Sequence, residues 1–246
     1  MPNRLRFSLI GVPQHIMLYG HNLEACFFAD EDYLFYLRCL KEAARSHACR
    51  VHTYVLMPNH MHLLATPRTR GGFTGMLQTV RDRYAQYIRH TYRRSNAVWD
   101  GRYKASLVQP DRYLLDCYRY IEFNPVRAAI VKHPANYRWS SHVHHALGVA
   151  DELVTEHAKY RNLGADAGER RQAYRELSRD PLEPAVFDAI RAALHEEGVL
   201  GDEQFRQQIE IAQKRRLSPG EAGQPFRQGE SYALSQKPPV CRDANK

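Results

Sequence analysis

The feature that most constrains the fold is a pair of histidines, His60 and His62, in a short apolar segment. Two apolar runs, residues 51–57 and 61–65, flank Pro58-Asn59, a dipeptide typical of turns, so the segment predicts a hairpin of two strands. Because side chains alternate between the faces of a strand, both imidazoles project from the same side. Two neutral imidazoles at this spacing can share one divalent metal ion, which usually takes a third ligand from elsewhere. The alternative is a pair of half-buried strand residues, a frequent arrangement in a chain with 13 histidines.

A second segment, residues 113–127, predicts a helix for which Asp111 is the expected N-cap. Four side chains recur at helical spacing and predict its buried face: Leu114, Cys117, Tyr118 and Ile121. Tyr120 and Asn124 are four residues apart and share a different stripe. Since Pro125 disfavours helical geometry in the residue before it, the helix is expected to end or bend at Asn124. The amide of Asn124 is then free to turn toward a partner, although a phenol and an amide at a helix end can also simply pack.

Taken together, these two motifs resemble those of the single-tyrosine HUH transposases. The motifs are His60-Met61-His62 in a strand and residues 120–127 at a helix end. Within that family the chain is most similar to the REP-associated tyrosine transposases, which process single-stranded DNA. Four further segments carry the resemblance in the same order along the chain: Gln14-His15-Ile16, residues 27–33, residues 99–104 and residues 139–142. The specific motifs cover residues 1–150, and the remainder of the chain matches more loosely.

The sequence departs from the family's pattern in two places. Leu18-Tyr19-Gly20 stands where the family usually carries a basic residue, and residues 95–98 replace a turn rich in Thr and Gly. Neither change touches the residues assigned to chemistry, so both concern DNA specificity.

The resemblance implies cleavage and rejoining of DNA strands through a tyrosine. Tyr120 is the implied nucleophile, giving a 5′-phosphotyrosine and a free 3′-OH. The implied ligands of one Mg²⁺ or Mn²⁺ ion are His60, His62 and Asn124. Glu122 and His15 are the candidates for a base that activates the phenol. The implied substrate is hairpin-forming single-stranded DNA, including repetitive extragenic palindromes, and the implied state is a monomer or a homodimer.

Composition is consistent with a nucleic-acid partner. The formal net charge is +8 and the pI is about 9.3, which favours a polyanion, either nucleic acid or an anionic membrane surface. No apolar run approaches the ~20 residues that a membrane span requires, and the N-terminal residues do not form a signal peptide. Five cysteines without a CxxC pair predict a reducing compartment and argue against a cysteine zinc site. The expected location is the cytoplasm, in association with the nucleoid.

A long helix is predicted over residues 73–94, with Met76, Val80, Tyr84 and Ile88 facing inward. Its other positions are rich in cations and carry Tyr87 and Tyr92. Aromatic rings beside arginines are typical of single-strand binding, although most charged helix faces are merely solvated. The residues predicted to contact DNA are Arg81, Arg83, Arg89 and Arg93 in this helix, and Arg102, Lys104 and Arg127 near the tyrosine helix.

The order of elements is strand, helix, strand, strand, helix, strand and then the tyrosine helix. It predicts an α+β fold of the ferredoxin-like or RRM-like type, an antiparallel sheet with helices on one face, as in HUH endonucleases. The first of these helices is expected to be capped by Asp30. The histidine pair is expected on a central strand, on the face that the tyrosine helix covers. The predicted domains are a catalytic domain over residues 1–150, a helical extension over 151–217 and a disordered tail over 218–246.

The C-terminal extension predicts helices over residues 169–177, 184–197 and 202–216. A corner at residues 198–201 suggests either a helix-turn-helix-like DNA contact or a plain helical hairpin. A second triplet, His142-Val143-His144, followed by His145, is rejected as the metal site. Ser140-Ser141 indicates a helix N-cap, and residues two apart on a helix diverge. These histidines are expected at the surface or facing DNA.

Three other functions remain open from the sequence. A rolling-circle replication initiator or relaxase shares the histidine pair and the tyrosine, but typically on a larger protein. A DNA-binding regulator without catalytic activity would not need His60, His62 and Tyr120 together. A zinc hydrolase would need an acidic or histidine third ligand, and none stands at a persuasive spacing.

Overall fold

The computed structural model describes residues 9–94 and 96–217, and the side chains of these residues through Ala212. The strands are β1 (Gln14–Tyr19), β2 (Cys49–Met57), β3 (His60–Pro67), β4 (Lys104–Val108) and β5 (Val199–Leu200). The helices that precede the tyrosine helix are α1 (Asp30–Ser46) and α2 (Gly72–Tyr92). The later helices are α3 (Pro110–Glu122), α4 (Asn124–Arg127), α5 (Ala158–Arg161), α6 (Ala167–Leu177), α7 (Pro184–His195) and α8 (Glu203–Leu217).

The sheet has five strands in the order β2-β3-β1-β4-β5. The first four pair antiparallel, with β1 between β3 and β4. The predicted α+β fold is therefore confirmed, and β3 with its histidine pair is an interior strand. The fifth strand was not predicted: β5 pairs parallel to β4, so the sheet is mixed rather than purely antiparallel. It forms from the apolar Val199 and Leu200 within the corner at residues 198–201, so that corner is not a helix-turn-helix turn.

Both faces of the sheet are covered. In β3, Met61 and Leu63 alternate with His60 and His62, so buried apolar side chains and histidines point to opposite faces. On the histidine face lies α3, where the Tyr120 ring contacts the His62 ring. The two long helices α1 and α2 contact β2 and β3 and cover the apolar face. The predicted coverage of the histidine pair by the tyrosine helix is thus observed.

The layer of α1 and α2 is built on aromatic packing. The Tyr36 and Tyr84 rings meet edge to face with centroids 5.1 Å apart, and the Tyr84 hydroxyl donates to the Cys26 carbonyl at 2.6 Å. The predicted inward residues of α2 are all buried. The cap of α1 differs from the prediction: Asp30 is its first residue, and Asp32 accepts the backbone N–H groups of Phe28 and Ala29.

The tyrosine helix begins one residue earlier than its predicted cap. Pro110 occupies the first turn, where its missing N–H costs nothing, and Gln109 is the N-cap, so Asp111 does not cap the helix. The four residues predicted as its inner face are fully buried. The helix ends at Glu122, and Asn124 opens the short helix α4 with Pro125 in its first turn. The break therefore falls at Phe123, one residue before the predicted position at Asn124.

The residues through Gln208 form one compact unit. The extension contributes to its hydrophobic core through Tyr160, Tyr174 and Ile190. The described residues 151–208 therefore pack in the same compact unit as the residues before them. The division of the chain at residue 150 into a catalytic domain and an extension stays a prediction. The second unit, Ile209–Lys246, is described only through the remainder of α8, and the tail predicted from residue 218 lies outside the described residues.

The structure also bears on two predictions made from composition, those on membrane spans and on the cysteines. Within the described residues, no helix combines the length and the apolar character that crossing a membrane requires. Cys26, Cys39, Cys49 and Cys117 are buried free thiols, and burial raises the pKa of Cys49 to about 11. These thiols act as small apolar core residues.

Candidate active site

The histidine pair lies on a strand that is held from both sides. Tyr19 of β1 and Met57 of β2 are the pairing partners of His60, while Met17 and Val55 pair with His62. The two imidazole rings are nearly perpendicular, with centroids 5.2 Å apart. The pairing of β3 with both neighbours therefore fixes the spacing of the rings before any ligand binds.

Hydrogen bonds assign the tautomer of His60. The Asn59 amide nitrogen donates to the Leu23 carbonyl at 3.2 Å, which orients its oxygen as the acceptor for His60 Nδ1 at 2.8 Å. His60 consequently carries its proton on Nδ1 and has a lone pair on Nε2. Burial lowers the pKa of His60 to about 4, so the ring is neutral at pH 7.

His15 of β1 makes the corresponding contact with His62. The distance from His15 Nε2 to His62 Nδ1 is 3.0 Å, and both rings are buried. When His62 donates through Nδ1, its Nε2 keeps a lone pair, as metal binding requires. Burial lowers the pKa of His15 to about 3 and holds that of His62 well below its ordinary value. His15, a possible site neighbour in the sequence, is therefore in direct contact with the pair.

Tyr120 lies over these histidines. Its ring centroid is 5.6 Å from that of His15 and 5.9 Å from that of His62. Tyr120 also lines an open cavity of about 380 Å³. Tyr118, two residues earlier, is fully buried and packs against His145 instead. Of the two tyrosines, only Tyr120 lies at both the histidine pair and an open cavity.

Asn124 completes the set that the sequence predicts. Its side chain hydrogen-bonds His60, so the two predicted imidazole ligands and the predicted amide ligand are neighbours. Asn124 follows directly after the helix break, because α3 ends at Glu122 and α4 begins at Asn124. In the described part of the chain, no three His, Cys, Asp or Glu side chains are arranged to hold a metal ion. The side chains brought together at this position are two imidazoles and an amide, with His15 hydrogen-bonded to His62.

Arg127 contacts both the ring and the backbone of Tyr120. Its guanidinium carbon lies 4.6 Å from the Tyr120 ring centroid, and the guanidinium donates to the Tyr120 carbonyl. Burial raises the pKa of the Tyr120 phenol, and the charges of Arg127 and Arg191 oppose that rise. The phenol is thus protonated at neutral pH, with a cation positioned to stabilise its ionised form.

The residues predicted to contact DNA fall into two groups. Lys104 lines the cavity beside Tyr120, and Arg102 is exposed two residues before it. Arg127 contacts the tyrosine itself. The α2 arginines belong to the helix layer on the opposite face of the sheet. Arg89 and Arg93 are exposed there.

The other two α2 arginines hold protein groups. Arg81 donates to the carbonyls of Asp100 and Gly101, and Arg83 pairs with Glu42 at 2.6 Å. The tyrosines between them are also engaged, because the hydroxyls of Tyr87 and Tyr92 both donate to Asp32. On this helix Arg81 and Arg83, like the hydroxyls of Tyr87 and Tyr92, are thus engaged with protein groups, and their contact with DNA stays a prediction.

Glu122 is a buried carboxylate with a full set of partners. Its oxygens accept hydrogen bonds of 2.6 to 3.1 Å from Thr53, Ser141, His142, His145 and Tyr174. Burial raises the pKa of Glu122, but the adjacent His145 and His142 outweigh it and hold that pKa well below its usual range. Such a carboxylate has no free lone pair for a tyrosine proton, so Glu122 is not the base.

The same cluster shows that the prediction for the second group of histidines, residues 142–145, was wrong. His142 and His145 are 3% and 0% exposed, so they are not at the surface or facing DNA. Ser141 does not cap a helix; its hydroxyl reaches Glu122 and Thr53. Sequence reasoning missed this cluster because its centre, Glu122, lies twenty residues away, and the only local signal was an acid on an otherwise buried helix face.

Helix α7 lines the cavity beside Tyr120, which sequence reasoning did not foresee. The side chains that it contributes include Asp188, Arg191 and His195. The Phe187 ring lies 5.3 Å from the Tyr120 ring, with the Arg127 guanidinium 5.5 Å from its centroid. The apolar stripe of this helix was visible in the sequence, but nothing local indicated which surface the helix covers.

Comparisons with known proteins agree with this geometry. Residues 11–124, which include the histidine pair, Tyr120 and Asn124, match the family model described as "Transposase IS200 like". The solved structure of a REP-associated tyrosine transposase bound to a REP hairpin matches with a TM-score of 0.51 and 17% sequence identity. That match covers 64% of this chain and 96% of the other chain, and at this identity it supports the fold.

A putative transposase from Deinococcus radiodurans matches with a TM-score of 0.34 and 15% identity, over 46% of this chain and 92% of the other, and it is too distant to support an argument. No curated protein matches the sequence. The family match includes the strand that carries both histidines and the whole of the tyrosine helix. Residues 11–124, a little under half of the chain, are thus similar to the IS200-like transposases.

Proposed function

We propose that this protein is a metal-dependent transposase or endonuclease that cleaves and rejoins single-stranded DNA through a 5′-phosphotyrosine. The observation that carries the proposal is the position of Tyr120. It lines an open cavity, and its ring contacts the buried, neutral rings of His15 and His62. The match of residues 11–124 to the IS200-like transposase model supports DNA transposition as the class of reaction. The proposed location is the cytoplasm, at the nucleoid where the DNA is.

One divalent ion, Mg²⁺ or Mn²⁺, is the proposed cofactor, and His60, His62 and Asn124 would hold it. Two observations of the donor set fit this assignment: the tautomer of His60 places a lone pair rather than a proton on Nε2, and burial keeps both imidazoles neutral. When bound, such an ion polarises a phosphate by coordinating a non-bridging oxygen. Two imidazoles and an amide add no negative charge, which favours an anionic phosphate as a further ligand and predicts weak metal affinity without DNA.

In the proposed reaction, the Tyr120 oxygen forms a bond to the phosphorus and the bond from phosphorus to the 3′ oxygen breaks. The phenol loses its proton, the leaving 3′ oxygen ends as a hydroxyl, and the 5′ phosphate stays on the tyrosine. Attack by another 3′-OH reverses these changes and joins the strands without an external energy source, because the phosphotyrosine conserves the bond. Arg127 stabilises the charge that develops on the phenol oxygen.

The proposed substrate is a hairpin-forming single strand. A solved relative of this fold is bound to a REP hairpin, which supports DNA of this kind as the partner. Lys104 and Arg127 beside Tyr120, with Arg102 nearby, are the proposed backbone contacts. Arg89 and Arg93 of α2, with Arg81 and Arg83, are proposed as a separate contact surface for flanking DNA. The protein acts as a monomer or a homodimer.

The test compares wild type with Tyr120→Phe and Tyr118→Phe. Hairpin oligonucleotides labelled at the 5′ or the 3′ end are incubated with Mg²⁺ or Mn²⁺ and separated on a denaturing gel. We expect a metal-dependent covalent adduct that retains the label on the 3′ side of the cut. It should disappear in Tyr120→Phe and persist in Tyr118→Phe, provided that circular dichroism shows both variants folded.

Other outcomes would contradict the proposal. An adduct that survives in Tyr120→Phe would assign the nucleophile to another residue. Tight hairpin binding by wild type without an adduct, over a range of hairpins and both metals, would favour a regulator that only binds DNA. Cleavage without an adduct, together with stoichiometric zinc, would favour a hydrolase.

A further inference from the structure

We propose that the C-terminal extension supplies a phosphate-binding residue to the catalytic cavity: Arg191 of α7 binds the backbone of the single strand beside the scissile phosphate. This inference rests on the proposed function and adds a substrate contact to the same site. It also gives the helices beyond residue 150 a direct role in catalysis.

Three contacts fix α7 beside the active site. The strand that follows it, β5, pairs with β4, through Leu107 N–H to Gly198 at 3.1 Å and Gln109 N–H to Leu200 at 2.8 Å. The Gln109 side chain also exchanges two hydrogen bonds with Asp202, of 2.8 and 2.9 Å. On its inner side, α7 buries Ile190, Ala193 and Leu194. Since Gln109 is also the N-cap of α3, the strand beside α7 and the tyrosine helix share an anchor.

The outer face of α7 faces the cavity. Asp188, Arg191 and His195 follow at intervals of three and four residues, so they share one side of the helix. All three line the cavity of about 380 Å³ together with Tyr120 and Lys104. A cavity of this size can hold a small ligand such as one nucleotide unit of a strand.

The charges in this cavity favour an anionic ligand. Among the described residues, neither Arg191 nor Lys104 has a carboxylate within 4 Å, and Asp188 is the only acid in the cavity lining. Two cations without an ion-pair partner among the described residues thus line a cavity that the proposed nucleophile also lines. A phosphate between them would compensate both charges.

The position of Arg191 is set by an aromatic contact that leaves its donors free. Its guanidinium carbon lies 5.8 Å from the centroid of Phe187, the same ring that contacts Tyr120 and Arg127. Contact with a ring face uses none of the five N–H donors, and a guanidinium can bind a phosphate with two of them. Arg191 is close enough to Tyr120 for its charge to lower the pKa of the phenol. The two arginines therefore serve different groups, with Arg127 on the tyrosine and Arg191 on the DNA backbone.

The test measures DNA binding without cleavage, in EDTA. One fluorescent probe is a blunt DNA hairpin, and the other is the same hairpin with a single-stranded flank. Dissociation constants are measured between 50 and 200 mM salt for wild type, Arg191→Ala, Arg191→Lys and the control Arg161→Ala, which removes an exposed arginine of the extension outside the cavity. Thermal denaturation verifies that each variant is folded.

Arg191→Ala is expected to weaken binding of the flanked hairpin about tenfold and to leave the blunt hairpin unchanged. The slope of log K against log salt for the flanked probe should fall by about 0.7, the value for one phosphate contact on a single strand. Arg191→Lys should keep the slope and recover part of the affinity, and Arg161→Ala should match wild type.

Two results would overturn the inference: wild-type affinity and slope in Arg191→Ala, or an equal loss on both probes, which would assign α7 to the duplex. Failure of the proposed function has a different signature. In that case wild type itself would fail to form the Tyr120 adduct with metal, whatever Arg191→Ala does to binding.

Discussion

At the scale of single residues, the histidine pair depends on a third histidine that is not in its motif. His15 Nε2 lies 3.0 Å from His62 Nδ1, and the other His15 nitrogen is buried without a partner. Asn59 does for His60 what His15 does for His62, since each engages Nδ1 and leaves Nε2 for a ligand. Partners of this kind orient metal-binding imidazoles and fix their tautomer.

Replacement of His15 by phenylalanine is therefore expected to weaken metal binding. An aromatic ring stays at this position, but His62 loses its Nδ1 partner, and loss of such a contact typically costs about 10- to 100-fold in metal affinity. Calorimetric titration with Mn²⁺ in the presence of unlabelled hairpin DNA measures the change. His90→Phe, at an exposed position of α2, is the control. Unchanged Mn²⁺ affinity in His15→Phe would show that His62 does not need this partner.

At the scale of elements, the parts that could be predicted are those encoded locally. The hairpin of the histidine pair, the inner face of α3 and the break before Pro125 each depend on neighbours in sequence. The Glu122 cluster does not, because it joins α3 to β2, to residues 141–145 and to α6. His142 and His145 were therefore misassigned to the surface: their burial follows from a carboxylate that only the tertiary structure brings to them.

The same cluster holds the tyrosine helix in place, and its strength can be tested with matched tyrosines. Tyr174 donates to the Glu122 carboxylate at 2.7 Å, while Tyr160 donates to the His145 carbonyl at 2.7 Å. Both rings are buried. Hydrogen bonds to charged groups contribute more, so Tyr174→Phe should lower the free energy of unfolding by about 1.5–3 kcal/mol and Tyr160→Phe by about 0.5–1.5 kcal/mol. Urea denaturation at pH 7 measures both losses.

Removal of the charge itself should cost more. In Glu122→Gln, an amide N–H₂ group replaces one oxygen and faces hydrogen-bond donors such as His142 or Tyr174. Each buried donor that is left without an acceptor costs about 1–3 kcal/mol, and more when its partner was charged. A loss in Glu122→Gln smaller than that in Tyr174→Phe would mean that the carboxylate is not the centre of the cluster.

At the scale of the whole molecule, the extension packs directly on the predicted catalytic domain. Its helix α7 forms one wall of the cavity, and its short strand β5 extends the sheet. This arrangement could not be predicted, because Val199 and Leu200 form a two-residue strand whose partner β4 lies ninety residues earlier. Such a pairing is set by tertiary contacts rather than by any local pattern. The composition predicted a basic chain, but not that Lys104 and Arg191 line the same cavity.

Buried neutral histidines also make the stability of the whole fold depend on pH. Burial lowers the pKa of His52 from 6.5 to about 3, and its ring is held between the Thr155 carbonyl and the Thr66 hydroxyl, each at 2.8 Å. The unfolded chain binds this proton below pH 6.5 and the folded chain only near pH 3, so stability falls as pH decreases through that interval. Glu122 acts in the same direction at lower pH, because its folded pKa is also depressed.

His52→Gln is expected to reduce the pH dependence of the unfolding free energy by the contribution of one titrating group. Urea denaturation between pH 4.5 and 7.5 should give a slope of unfolding free energy against pH that is smaller than that of wild type by about 1.4 kcal/mol per pH unit below pH 6.5. The variant will also be less stable at pH 7, where the hydrogen bonds of His52 are lost, but that loss does not change the slope. His90→Gln, at an exposed position, should keep the wild-type slope. Equal slopes in His52→Gln and wild type would mean that His52 binds its proton equally in the folded and unfolded chains, which its burial between two hydrogen-bond partners does not allow.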